Sequence, residues 1–228
     1  MKAPIATGLL LCATLFASAH AGAQTIVPAD ADRSAGFPFK DTSMLKPPAG
    51  SKVAVIEFED MECPHCAADA PVVRAAVVKY KLPYQRRDLP LTEIHSWAFD
   101  AAVTARYIQD KLSPLLAETF RRDLFASQPY IGSKDDLANF TRRWFQSRGL
   151  TMPFVMDASG ACKNEVKADL ALADRLGAHG TPCIFVVTQQ RWVQVADVHQ
   201  LYHTIDLALA QTGGPAVSPH RKPQQLHP

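Results

Sequence analysis

The 228-residue chain is 47% hydrophobic and 20% charged, with a formal net charge of +2, the balance of an ordinary globular protein with one full-sized core. Acids and bases nearly cancel and no long block of one sign occurs, which argues against a nucleic-acid binder. Beyond the N-terminal segment, no apolar run reaches the roughly 20 residues needed to span a bilayer.

Residues 1–23, MKAPIATGLLLCATLFASAHAGA, carry one Lys, an apolar centre from Ile5 to Ala17, and small residues at Ala19, Ala21 and Ala23. This is the pattern of a secretory signal cleaved near Ala21 or Ala23, and Cys12 would leave with it. The mature protein is then expected in the periplasm, where disulfides persist. Residues 24–50 read as an extended leader rich in Pro and Gly, closed by the turn signal PPAG.

Residues 51–91 read as a βαβ unit. Lys52 to Phe58 is a buried strand by its β-branched run. A helix follows from Pro64, with Ala67, Val72, Val73, Ala76, Val77 and Tyr80 as its apolar face and Pro71 as an expected kink. Tyr84 to Leu89 supplies a second, parallel strand. Residues 92–161 are helical in pattern, with breaks at Ser113-Pro114, Gln128–Ser133 and Gly149–Ala161; Ser133 before KDDL is an N-cap. Residues 162–214 continue as a helix to about 177, then strands Cys183–Val187 and Arg191–Ala196. A last helix follows, opened by Asp197 with Gln200 in a variant capping box and ending at Gly213-Gly214. Residues 215–228, with four prolines and no apolar run, are expected to be a disordered tail.

The chemistry centres on CPHC, Cys63 to Cys66, at the junction of the first strand and first helix. A thiolate is the attacking species in disulfide exchange. The helix N-terminus at Cys63 favours an anion by about 0.3–2 kcal/mol. His65, inside the motif after Pro64, has a side chain able to donate hydrogen bonds or positive charge to the same sulfur. Cys63 would be the nucleophile and Cys66, one turn deeper, the resolving thiol. A C-x-x-C also serves zinc sites and structural disulfides; its place in a βαβ unit favours redox exchange. Glu57, on the apolar strand six residues before Cys63, is a costly carboxylate there and a candidate to relay a proton to or from Cys66. His95, before SWAFDAA, has either an active-site or a structural role, and Met61 and Glu62 flank Cys63.

EFEDMECPHC, Pro71, LPLTEIHSWAFDAA and GTPCIFVV together resemble the DsbA-like branch of the thioredoxin superfamily, exported thiol:disulfide oxidoreductases, over about residues 50–213. The resemblance implies an α/β thioredoxin-like fold, a central mixed β-sheet with an inserted helical domain. It implies that Cys63 is the exposed nucleophile, Cys66 its buried partner and Glu57 the buried carboxylate. Pro182 would be the cis-proline, with Thr181 before it offering backbone hydrogen bonds to a substrate chain. The sequence departs from the family at Cys183, which with Cys162 forms either a second disulfide or two buried thiols.

The expected function is an oxidase that passes the Cys63–Cys66 disulfide to reduced exported polypeptides through a mixed disulfide on Cys63. A quinone-linked membrane partner of the DsbB or VKOR type would reoxidise it, as the family implies. The alternatives are a reductase or isomerase of the same fold, and a polypeptide-binding module or holdase whose thiols are incidental. A monomer is expected, with no nucleic-acid partner, no metal, and no cofactor beyond the redox-active cysteine pair.

Overall fold

The computed structural model describes residues 26–28 and 45–213. The expected signal, most of the leader and the expected tail lie outside them.

Five strands form one mixed sheet in the order β1-β5-β4-β2-β3. They are β1 (Ile26–Pro28), β2 (Val53–Glu59), β3 (Tyr84–Asp88), β4 (Cys183–Thr188) and β5 (Arg191–Val195). β2 pairs in parallel with β3 and antiparallel with β4, β4 pairs antiparallel with β5, and β5 pairs antiparallel with β1. The sequence is silent about β1, because three residues ending in Pro28 show no period. The position suits them: proline cannot donate to a ladder and is tolerated at a sheet edge.

β2 is buried along its whole length because helices cover both faces, so its sequence runs apolar without alternation. On one face Val53 and Val55 pack with Val73 and Ala76 of α1 (Pro64–Tyr80) and with Leu201 and Ile205 of α6 (Leu201–Gln211). On the other, Ala54, Ile56 and Phe58 meet Phe185, Trp192 and the end of α5 (Ala161–Arg175) at Leu172 and Leu176. The buried stripe of α1 is Cys66, Ala70, Val73 and Ala76. Of the expected face, Val73 and Ala76 are buried, whereas Ala67, Val72, Val77 and Tyr80 are only partly covered. The helix is continuous through Pro71.

Between β3 and β4 run α2 (Ala98–Lys111), α3 (Pro114–Ser127), α4 (Lys134–Gln146) and α5. Each break foreseen in the sequence falls between two of these helices. Ser113 and Ser133 cap α3 and α4 by accepting from the N–H groups of Leu116 and Asp136. Asp197 caps a short 3-10 turn, Val198–Gln200, by accepting from His199 N–H. Ala101, Ile108, Phe120, Leu124, Trp144 and Phe145 form the core of these helices, and the same cluster takes in Met61, Cys63 and Cys66. Both thiols therefore lie on the seam between the sheet and the helices inserted in it.

Charged groups cross that seam as well. Arg121 on α3 binds Glu59 of β2 at 2.5 Å and Asp88 of β3 at 2.8 Å. Asp88 also receives Arg106 of α2 at 2.5 Å, and Arg106 continues to Asp169 of α5, which Arg87 meets at 3.1 Å. Asp88 is held below the ordinary carboxylate range although burial opposes it, because Arg121 and Arg106 flank it.

Candidate active site

Cys63 is the N-cap of α1, in extended backbone, and Pro64 opens the helix, where its missing N–H costs nothing. The Cys63 carbonyl accepts from Ala67 N–H at 3.2 Å. Cys63 Sγ lies 3.4 Å from the Thr181 carbonyl, which accepts its proton in the thiol form. The Thr181–Pro182 peptide bond is cis and stands 118 residues away in sequence.

The two thiols have opposite proton affinities. Cys63 falls well below the ordinary thiol range, to about 5. The largest cause is the hydrogen bond from Cys66; burial opposes it, and the Thr181 side chain and the backbone N–H groups of Cys66 and His65 add to the lowering. The Thr181 hydroxyl is buried and without a hydrogen-bond partner among the described residues. His65 thus contributes its peptide N–H, while its exposed imidazole bears on Asp69 instead. Cys66 is fully buried; burial and donation to Cys63 raise its proton affinity far above the ordinary range, and the negative charge of Glu59 raises it further.

Glu57 is fully buried, and its hydrogen-bond partner is Tyr84, whose O–H donates to Oε2. Tyr84 in turn accepts from Arg86 Nε at 3.0 Å. Burial first, then the charge of Glu59, pushes Glu57 up to about 7. The negative charge of Glu59, a residue that the sequence argument passed over, also bears on Cys66. Its signal was present: EFEDMEC holds four acids in six residues beside an apolar strand.

Cys162 and Cys183 are not brought together. All four described cysteines are free and buried, including Cys63, which is 4% exposed where the resemblance implied an exposed nucleophile. Cys162 sits at the start of α5 in the helical cluster, and Cys183 packs under the sheet with Phe58 and Phe185. Cys183 accepts from Gln194 Nε2 at 3.3 Å, and burial pushes its thiol up to about 12. The second disulfide considered from the sequence gives way to two separate buried thiols.

Residues 60–62 tie the motif to the inserted helices. Asp60 accepts from Leu91 N–H at 2.7 Å and lies 2.8 Å from His95 Nδ1. Glu62 accepts from Trp97 N–H at 2.6 Å, and Gln128 donates to the Met61 carbonyl at 3.0 Å. His95 belongs to the site through Asp60, a link invisible in sequence because 35 positions separate them.

A thiol at a helix N-terminus, a buried partner thiol and a cis-proline facing them thus stand together on a thioredoxin fold. The chain belongs to the thioredoxin family, whose model matches residues 46–206, and its fold is that of the DsbA-like proteins. Among solved structures it resembles the thiol-disulfide exchange protein α-DsbA2 of Wolbachia pipientis (20% identity, TM-score 0.54, 71% of this chain and 84% of that one). It also resembles the oxidoreductase DsbA of Xylella fastidiosa (17%, TM-score 0.57, 75% and 92%). A third is a thioredoxin-like oxidoreductase of Silicibacter pomeroyi (24%, TM-score 0.56, 73% and 91%). Among curated proteins, the Na(+)/H(+) antiporter NhaA 3 of Salinispora tropica is 29% identical over 162 residues, which is 71% of this chain. The match spans only 22% of that antiporter's length.

Proposed function

We propose that this protein is an exported thiol:disulfide oxidoreductase that donates the Cys63–Cys66 disulfide to cysteines of periplasmic or secreted polypeptides. The observation that carries the proposal is the split between the two thiols. Cys63 is stabilised as an anion at neutral pH and Cys66 is held protonated behind it. A substrate thiolate attacks Cys63 Sγ in the disulfide, forming a mixed disulfide and releasing Cys66 as a thiolate that takes up a proton. A second substrate thiolate then attacks the substrate sulfur, closes the substrate disulfide and expels Cys63 as its stabilised anion. A good leaving thiolate makes the disulfide oxidising. Thr181, before the cis-proline, is the backbone partner we propose for the bound chain in either direction. Reoxidation falls to a quinone-linked membrane protein that accepts from the Cys63–Cys66 dithiol the electron pair taken from substrate.

The test is the reduction potential of the pair together with oxidation of a reduced model protein. A potential near or above about −180 mV, with stoichiometric disulfide formation in the substrate, is expected. A potential near about −270 mV would assign the protein to the reductases. Failure of the oxidised form to act on reduced protein would end the proposal.

A further inference from the structure

Asp60 is a buried carboxylate with three donors. Glu62 N–H reaches Oδ1 at 2.7 Å, Leu91 N–H reaches Oδ2 at 2.7 Å, and His95 Nδ1 lies 2.8 Å from Oδ2. Its side chain is inaccessible to solvent while that of His95 is 15% exposed. The peptide groups of the same residue are committed to the motif. Asp60 N–H donates to Cys66 Sγ at 3.4 Å, and the Asp60 carbonyl accepts from Cys63 N–H at 3.1 Å.

Each polar group of this one residue is thus spoken for, with the carboxylate facing the segment that leads into α2 and the peptide groups facing the two cysteines. A backbone N–H can be aimed at a sulfur only if the backbone cannot rotate away. Three bonds on the adjoining side chain, two of them from peptide groups of a separate segment or turn, supply that restraint.

We propose that Asp60 is a positioning residue for both thiols: its locked carboxylate holds its own N–H on the Cys66 sulfur and its own carbonyl on the Cys63 N–H. The role presupposes the exchange chemistry proposed above and names the residue that steadies the Cys66 thiolate, the leaving group when substrate attacks Cys63 and the attacking group in the reverse step that resolves a mixed disulfide. In that step Cys66 loses its proton to solvent or a neighbouring base, and its thiolate attacks Cys63 Sγ in the mixed disulfide. The Cys63–Cys66 bond forms and the bound thiol leaves as an anion. Burial, Cys63 and Glu59 all oppose the Cys66 anion, and the Asp60 N–H favours it.

The experiment uses the reduced full-length protein and stoichiometric Ellman's reagent. Cys63 attacks first and releases one thionitrobenzoate; Cys66 then expels the second from the mixed disulfide. Absorbance at the thionitrobenzoate band resolves the two phases. Asp60→Asn puts an NH2 where one carboxylate oxygen accepted. The second phase is expected to slow about tenfold, the scale of one hydrogen bond to a charged group, and the first phase to slow by less, because Cys63 meets Asp60 through its peptide N–H rather than its sulfur. His95→Ala, which removes one donor, is expected to slow the second phase in the same direction but less. His95→Asn, which restores a donor, is expected to recover it. A second phase within about twofold of wild type in Asp60→Asn, whatever happens to the melting temperature, overturns the proposal. Where Asp60→Asn does not fold, the His95 pair decides: slowing in His95→Ala without recovery in His95→Asn also overturns it. Ellman's reagent reacts with any accessible thiol, so the phases are readable even if the wild-type protein fails to oxidise a reduced protein.

Discussion

The Cys63 thiolate links redox state to stability. A group whose folded-state proton affinity is lowered contributes stability that is present at high pH and lost as pH falls through its folded value. For the dithiol protein this contribution is lost as pH falls toward about 5. Glu57 acts in the opposite sense: held protonated up to about 7, it stabilises at low pH, and that contribution is lost as pH rises through 7. Both redox forms contain Glu57, so the difference between them isolates Cys63. The melting temperature of the reduced form minus that of the oxidised form is expected to rise between pH 5 and 8, and scanning calorimetry on both forms measures it. A flat difference would mean Cys63 is not stabilised as an anion. The motif and its helix-start position were legible in CPHC itself. The Asp60, Glu62 and Tyr84 contacts were not, because each joins residues 27 to 35 positions apart.

At the scale of elements, the inserted helices carry the aromatic core. Phe120 is fully buried and meets Trp144 edge to face, with centroids 5.2 Å apart. Phe120→Ala is expected to cost about 3–5 kcal/mol in urea unfolding, whereas Ser133→Ala, which removes the α4 cap, is expected to cost about 1 kcal/mol. A Phe120→Ala loss no larger than the cap's would show that the cluster collapses around the gap. Helices were legible wherever a stripe repeated every three or four residues, and Ser133 was visible as a cap. The α1 stripe was right at Val73 and Ala76 but took in Ala67 and Val77 in place of Cys66 and Ala70, because these residues are similarly apolar and only the packed sheet chooses between them. β1 was unreadable because three residues carry no period.

For the molecule as a whole, the ion ladder from Glu59 through Arg121, Asp88 and Arg106 to Asp169 joins sheet and helices. Removing one member leaves buried charges uncompensated, which is worse than lacking the pair altogether. Arg121→Met is accordingly expected to cost about 3–5 kcal/mol at pH 7. The loss should shrink as pH falls and the stranded carboxylates protonate, the sign a denaturant series at pH 7 and pH 4.5 would check. A loss independent of pH would point to packing of the arginine stem instead. No such ladder could be read from the sequence, since an Arg in an amphipathic helix looks like any solvated charge until the fold turns it inward.

The separation of Cys63 from Thr181 has a consequence in time. A polypeptide chain emerges N-terminus first, and at roughly 5–20 residues per second the 118 positions between them take about 6–24 s to follow. Throughout that interval CPHC is outside its finished pocket, without the Thr181 hydroxyl or the Asp169 end of the ladder. An unfinished copy is an ordinary dithiol rather than a poised one, and the pocket around Cys63 closes only once most of the chain is complete.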